Sequence, residues 1–496
     1  MNTEDQLIAQ RIEKLNQIRA SGVNPYPYNF NQKDHASEIL EKYKKLKNHE
    51  VTKEKVSIAG RIMTIRLMGK ASFLHIQDET GKIQAYVRQD DIGEKSYELF
   101  KKFDMGDIIG IEGIIFSTKA GEISVWAKKI ELLCKSIRPL PEKWHGLKDT
   151  EIRYRKRYLD LISNPEVKEV FIKRVQIIKE IRKFLDKEGF LEVETPLLQP
   201  VYGGASAKPF KTHLNALDME VFLSISPELY LKRLIVGGFE RVYTICKNFR
   251  NEDIDTTHNP EFTMMEFYYA YQNYEKLMEM TEELIPDLVK NLNGTYDIKV
   301  EGKDISFKPP FKRIKFRDFI LNETGIDIDK TKDFESLKKE IEKKKIKNVD
   351  VRNAKNYGNL MDELYKRVCR PKIISPTFLT HYPVEMIALA KRNDKDPTKI
   401  NTFQLIVNGA ELVKAYDELN DPIDQRNRLE EQKINMKKGD QEAMPFDEDF
   451  VNALEVGMPP TAGYGLGIDR LAMFLLEKDS IKDVILFPFM KSFKNV

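Results

Sequence analysis

The chain has 496 residues, with 81 Lys and Arg against 78 Asp and Glu and a formal charge of +3. That length exceeds what one hydrophobic core sustains, so two or three domains are expected, and so small a net charge requires any nucleic-acid contact to come from a local patch. No apolar run approaches the roughly 18 residues of a membrane span, and Cys134, Cys246 and Cys369 lack the spacing of a zinc site or a disulfide framework. The acidic, amphipathic start "MNTEDQLIAQRIEKL" has no apolar targeting core, so a soluble protein of the reducing cytoplasm is expected, with no membrane partner and its cysteines buried as thiols.

In chain order, Leu7, Ile8, Ile12, Leu15 and Ile18 recur at helical spacing and predict a leading helix before the turn-rich "GVNPYPYNF"; residues 1–50 form an N-terminal helical extension. Over 51–140 the pattern becomes short alternating strands: "VSIAGRIMTI", "ASFLHIQD", "KIQAYVR", "DIIGIEGIIF" and "EISVWAKKIELL", with a helix at "GEKSYELFKKF" after the third. Five strands with a helix in that place suit an OB-type barrel ahead of an SH3-like one. A linker is expected at 141–165 and a larger α+β domain at 166–496. It opens with a long amphipathic helix ending near Gly189 and a strand "FLEVETPLL" closed by Pro196; residues 272–373 read as a charged helical insertion without a catalytic role.

The chemistry is concentrated in "KNFRNEDIDTTHNPEFTMMEFY". Read as two strands joined by a loop, period two places Arg250 and Glu252 on one face and Phe262, Met264, Glu266 and Tyr268 on one face of the return strand. A guanidinium forks onto phosphate or carboxylate, His258 adds a donor, and Phe262 offers a stacking face, a set suited to a nucleotide whose phosphate is attacked by a carboxylate. Glu228 in "SISPELYLKR" and Glu418 in "YDELND" add acid in apolar settings, which ordinary surface ion pairing does not explain. In "GYGLGIDRLAMFLL" glycines permit close backbone approach and Arg470 starts a helix where a phosphate could sit; neither a Rossmann nor a P-loop spacing is present.

Taken together these segments resemble the class II aminoacyl-tRNA synthetases of subclass IIb, and among them the bacterial lysyl-tRNA synthetases. "FLEVETPLL" with Pro196 is similar to the family's motif 1 at its dimer interface, the Arg250 hairpin to motif 2, and "GYGLGIDR" to motif 3; "RYRKRYLDL" precedes them, and "YGGASAKPF" and "SPELYLKRL" fall between the first two. The resemblance implies an OB-fold anticodon domain and a catalytic domain built on an antiparallel sheet flanked by helices. It also implies a homodimer that joins L-lysine to tRNA-Lys, with ATP as substrate and Mg2+ as cofactor, up to three ions per site. Arg250, Glu252 and Arg470 would be catalytic. ATP would be held by Arg250, Glu252, His258, Phe262, Glu411 and Arg470, and lysine by Gly204, Glu228, Arg250, Glu266, Tyr268, Lys414 and Glu418. A buried ammonium needs acid partners, which favours lysine over aspartate or asparagine.

Two positions depart from the family pattern. Of two magnesium-binding carboxylates seven residues apart, this chain keeps Glu411 but has Gln404, leaving Glu411, Gln404 and Glu418 as the expected metal set; Lys414 stands where Asn is common. In the barrel, Phe73 and Gln84 have the spacing of the Phe that stacks on an anticodon base and the Gln that bonds its edge in class IIb synthetases; the resemblance implies those roles here, with Glu122 and Arg66 as further contacts and Arg61 and Lys70 as phosphate charge. A same-fold ligase for another amino acid, a paralogue that modifies a protein, and a non-catalytic RNA-binding homologue are the alternatives; the last would be expected to lack Arg250 or Arg470, and both are present.

Overall fold

The structure is a computed structural model that describes residues 3–141, 147–352, 354, 356–437, 439–440 and 442–491. The chain divides into two compact units, Met1–Gly146 and Leu147–Val496.

In the first unit, alternation of apolar and polar residues rolls five strands into a closed barrel. They are β1 (Val51–Met68), β2 (Ala71–Gln77), β3 (Lys82–Arg88), β4 (Ile108–Ser117) and β5 (Ile123–Cys134), in the order β1-β2-β3-β5-β4. A register shift between Ile62 and Thr64 bends β1, so one 18-residue strand pairs with β4 along its first half and β2 along its second. Parallel pairing of Gln84–Tyr86 with Ser124–Trp126 closes the barrel. Leu74, Ile76, Ala85, Val87, Ile109, Ile111 and Val125 fill it, and the helix Glu94–Phe100 adds buried Tyr97 and Phe100. The leading helix spans Thr3–Ala20, but its buried stripe is Arg11, Leu15 and Ile18, whereas Leu7 and Ile12 are exposed. Arg11 is buried because its guanidinium donates to the carbonyls of Met105, Ser136 and Arg138, bonds that replace water.

The second unit is built on an eight-stranded sheet. Its strand order is Lys312–Lys315, Thr377–Thr380, Thr402–Val407, Ala410–Asp417, Thr461–Gly467, Glu261–Ala270, Arg241–Phe249 and Leu191–Glu192. The pairing is antiparallel in the middle and parallel at both ends. One face packs on the helices Pro165–Lys187, Tyr274–Asn293 and Ile468–Leu475 through Ile181, Leu284, Phe403, Leu471 and Phe474. Phe267 and Tyr464, cross-strand neighbours on that face, stack at 4.5 Å and 12°, an arrangement worth about 0.5–1.5 kcal/mol beyond burial. The opposite face carries a second core, around the helix Glu228–Val236, and the cavity described below.

Three expectations are corrected. The segment read as a linker at 141–165 contains the helices Thr150–Arg155 and Arg157–Ser163, and Arg157 is 1 % exposed. Its guanidinium bonds Asp160 and the carbonyls of Lys482, Ile485 and Leu486, so its charge is spent inside the unit. The stretch 272–373 is not a separate helical insertion throughout: Tyr274–Asn293 lies in the main core and Lys312–Lys315 is a sheet strand. "FLEVETPLL" is strand only at Leu191–Glu192, while Leu198–Gln199 joins a separate three-stranded sheet. Pro196, which has no N–H to give a ladder, lies exposed between them. At Gly189 a φ of +78° ends the long helix as expected.

Removing one partner of a buried ion pair strands the other, so Arg157→Met is expected to cost about 3–5 kcal/mol. A denaturant midpoint unchanged from the native chain would contradict that role.

Candidate active site

The cavity owes its room to one strand. Along Thr461–Gly467 the residues alternate so that Ala462, Tyr464 and Leu466 face the core, and beyond Thr461 the other face carries only Gly463, Gly465 and Gly467. Their neighbours do carry side chains. Tyr268 and Tyr416 flank Gly463, Glu266 and Lys414 flank Gly465, and Met264 adjoins Gly467. The result is a trench, the floor of a cavity of about 930 Å³.

One end of the cavity is acidic. Glu228 and Glu266 line it, both buried, and Glu418 is buried beside them against Gly463. Glu266 accepts from Ser226 Oγ at 2.8 Å and Tyr268 OH at 3.3 Å. Burial, reinforced by the charge of Glu228, still pushes its carboxyl up to about 8. Tyr416 OH donates to both oxygens of Glu228, at 2.9 and 2.8 Å, and Lys232 Nζ lies 2.6 Å from Glu228 Oε1. Glu418 forms an ion pair with the same lysine, yet neither of its oxygens receives a directed hydrogen bond. Burial and the neighbouring Glu228 and Glu266 raise the Glu418 pKa, against the pull of Lys232. Gly204, with φ +86°, closes over this end; a Cβ there would lie 2.8 Å from Glu228 Cβ and Ser226 Oγ.

The other end is basic. The hairpin ladder runs to Asn248 opposite Phe262 and Phe249 opposite Glu261, and Arg250 N–H extends it by donating to Pro260 O at 2.9 Å. The Arg250 guanidinium stacks over Phe262 with 5.1 Å to the ring centre, and its buried Nε has no partner. Arg470, in the first turn of Ile468–Leu475, donates to Glu411 O at 2.9 Å and lies 3.4 Å from His258 Nε2. Burial and the nearby Arg370 and Arg250 pull its pKa down, while Glu411 opposes. His258 Nδ1 contacts Asp255 at 2.8 Å; Asp255, although partly buried, is held at about 2 by the Thr257 N–H and His258. Glu252 is exposed in the loop at the cavity's edge.

Gln404 and Lys414 are cross-strand neighbours. Gln404 Oε1 accepts from Tyr382 OH at 2.7 Å and Tyr365 OH at 3.3 Å, so the one atom it could offer a cation is already engaged. No carboxylate lies within ion-pair distance of Lys414 among the described residues, and both Lys414 and Glu411 line the cavity. Mg2+ usually takes one or two carboxylates and completes its shell from phosphate and water. Glu411 suits that mode; no cluster of three or more His, Cys, Asp or Glu that could hold a metal occurs among the described residues.

Sequence reasoning missed Lys232, Tyr416, Ser226 and Arg370. Lys232 follows Glu228 by one helical turn and Tyr416 precedes Glu418 by two strand positions, both spacings that put side chains on one side. Arg370 belongs to the stretch read as a charged insertion without a catalytic role, yet it lines the cavity with Lys366 and Asp362.

In the barrel unit, β2 and β3 bring Phe73 and Gln84, and the turn between β4 and β5 brings Glu122, to one outer face. The Phe73 ring lies 4.8 Å from Tyr86, Gln84 Nε2 donates to Glu122 Oε2 at 2.7 Å, and His75 Nε2 lies 2.9 Å from Glu122 Oε1. Arg66 pairs with Phe73 across the strands and is exposed, as is Lys70, whereas the Arg61 guanidinium is spent on Gly106 O at 2.7 Å.

The trench itself can be tested. A Cβ at Gly463 would lie 1.9 Å from Glu418 Oε1 and 2.7 Å from Tyr268 Cε1, but one at Gly465 would meet nothing closer than 3.7 Å. Gly463→Ala is therefore expected to destabilise the protein by about 1–3 kcal/mol through overpacking, with Gly465→Ala nearly neutral. Equal thermal midpoints for the two variants would contradict the packing described.

Comparison with known proteins agrees with both units. The family model for class II tRNA synthetases (D, K and N) matches residues 149–491, and that for the OB-fold nucleic acid binding domain matches 56–133. Among curated relatives, the lysine–tRNA ligase of Pelotomaculum thermopropionicum is 51% identical over 98% of this chain and 95% of its own length. The lysine–tRNA ligase of Carboxydothermus hydrogenoformans is 50% identical over 98% of each chain, and that of Thermotoga maritima 48% over 97% of this chain and 95% of its own. By these matches, the chain belongs to the class II tRNA synthetases, in the family of the lysine–tRNA ligases.

Proposed function

We propose that this chain activates L-lysine with ATP and transfers it to tRNA-Lys. The observation that carries the proposal is the polarity of the cavity: Glu228 and Glu266 line one end, with Glu418 buried against Gly463 beside them, and guanidiniums converge at the other. Lysine has two ammonium groups and a carboxylate. Glu418 and Tyr268 would take the side-chain ammonium, and Glu228, Glu266 and the Gly204 backbone the α-ammonium. The lysine carboxylate then lies towards Arg250, with Lys414 on the opposite trench wall.

In the first step a lysine carboxylate oxygen attacks the α-phosphorus of ATP; a P–O bond forms and the bond to pyrophosphate breaks. Arg250 would hold the carboxylate and α-phosphate together, Phe262 and Arg470 would sandwich the adenine, and His258 with Arg470 would meet the outer phosphates. Glu252 would accept from the adenine edge. Bound magnesium would neutralise phosphate oxygens, with Glu411 the carboxylate best suited to hold it, while Gln404 and Glu418 are already engaged by tyrosines and by Lys232. In the second step a terminal ribose hydroxyl of tRNA attacks the lysyl carbonyl carbon and AMP leaves. No protein nucleophile is required; orientation and charge stabilisation carry the rate.

The barrel's outer face supports anticodon binding, with Phe73 to stack a base and Gln84, Glu122 and Arg66 to meet edges and phosphate. A homodimer is supported by Leu191, Leu197 and Leu198 around Pro196, which are 50 %, 40 % and 44 % exposed, since such a patch favours association. No helix among the described residues is long and apolar enough to cross a membrane, and we assign the protein to the cytoplasm.

The test is ATP–pyrophosphate exchange with lysine, ornithine, arginine, aspartate and asparagine supplied separately. Exchange with lysine alone is expected; exchange driven by aspartate or asparagine, or by none, would overturn the proposal. The same assay reads the Glu266 carboxyl, which titrates near 8 in the free protein. An ammonium favours the ionised form, so lysine binding should release a proton. The lysine KM should therefore fall as pH rises towards about 8, by up to about tenfold per pH unit. A flat profile below pH 8 in the native chain would count against Glu266 as an ammonium ligand.

A further inference from the structure

Lys232 has no part in the reaction as set out above. It is 0 % exposed, on the helix Glu228–Val236, with Nζ 2.6 Å from Glu228 Oε1 and in an ion pair with Glu418 Oε2. The faces of Tyr416 and Phe450 flank it, with 5.9 and 5.7 Å to the ring centres. A lysine so deeply buried is expensive unless paired, and this one is paired twice. Burial lowers its pKa, but Glu228 and Glu418 outweigh burial and raise it, so it stays charged.

The two carboxylates it joins come from separate elements, Glu228 from the helix and Glu418 from just beyond the strand Ala410–Asp417. Glu418 turns Oε2 to Lys232 while Oε1 borders the trench, where it is the atom that a Cβ on Gly463 would strike. We propose that Lys232 is a positioning residue that sets selectivity for a dicationic amino acid: it bridges Glu228 and Glu418 with oxygens left facing the trench, and it neutralises one of three buried carboxylates, leaving two to be matched by two ligand ammoniums. This role deepens the lysine chemistry proposed above and rests on it.

The charged and titratable groups around Lys232 are few. Glu228 lies on its own helix, Glu418 and Tyr416 come from the Ala410–Asp417 strand and its end, and Glu266 and Tyr268 come from the Glu261–Ala270 strand. The helix Glu448–Gly457 presents only the Phe450 ring, because Asp447 and Asp449 are turned to Arg233. Without the ammonium, Glu418 would keep two acidic neighbours and no cation, and would hold a proton to higher pH.

Lys232→Met and Lys232→Gln, the second keeping a neutral donor should the first fail to fold, are to be compared with the native chain by ATP–pyrophosphate exchange. The range is about pH 6.5 to about 8.5. Both variants are expected to raise the lysine KM by about tenfold or more at the low end, with ATP KM within about twofold and kcat changed less than the lysine KM. The penalty relative to the native chain should narrow as pH rises, because the carboxylates then ionise without their resident cation. An unchanged lysine KM, or a penalty that is the same at every pH and equal for lysine and ATP, would overturn the role. If the native chain itself exchanges with no amino acid, or with one other than lysine, it is the lysine chemistry that fails; if it exchanges with lysine and the variants match it, only the role of Lys232 fails.

Discussion

Glu228, Glu266 and Glu418 share a pocket from which water is largely excluded, and the catalytic unit is organised around keeping them there. Three carboxylates so placed repel one another and lose hydration, each a cost of several kcal/mol when unpaired. The chain meets that cost with one ammonium, from Lys232, and with hydroxyls from Ser226, Tyr268 and Tyr416. What is left over is unpaired acceptor capacity at Glu418 and a carboxyl at Glu266 that is easily protonated. On the proposed reading a ligand with ammonium groups would complete the set, so that the features that cost stability in the empty protein would be those that give it selectivity.

The sheet serves both requirements at once. Ala462, Tyr464 and Leu466 knit its inner face into the main core, and the alternate positions of the same strand leave the outer face bare. Because period two separates the faces completely, the packing that holds the strand does not restrict the trench. Flanking strands then supply chemistry at fixed spacing: Tyr268 opposite Tyr416 across Gly463, and Glu266 opposite Lys414 across Gly465. A rigid central strand fixes each of these side chains better than a loop could.

Most of this was legible in the sequence where periodicity and chemistry coincide. Alternation marked the five barrel strands, and the Arg250 hairpin with its run of Phe262, Met264, Glu266 and Tyr268 announced one face of a pocket. Charge was harder to place. Lys232 in "ELYLKRL" looks like the solvated side of an amphipathic helix, because its second partner, Glu418, is brought to it only by the sheet. Arg157 and Arg11 look like surface for the same reason; carbonyl acceptors leave no mark in a sequence. Arg370 and Lys366 sit in a lysine-rich stretch, and charge lining a polar cavity has the same composition as charge facing water. Pro196 fell within a plausible strand that its missing N–H interrupts.

Gln404 and Lys414, the two positions where the sequence reading expects a departure from the family pattern, are ten positions apart in the chain but adjacent in the sheet. They are better understood as one change than as two. A carboxylate at 404 would lie directly across the strands from the Lys414 ammonium, close enough for an opposite-charge pair to form. That pair would draw the ammonium back towards the sheet. The amide avoids this, since Gln404 is neutral and its oxygen is satisfied by Tyr382 and Tyr365. Lys414 therefore keeps its charge for the cavity, across Gly465 from Glu266. A neutral group at 404 and a positive one at 414 act in the same direction, and both make that part of the trench more attractive to an anion.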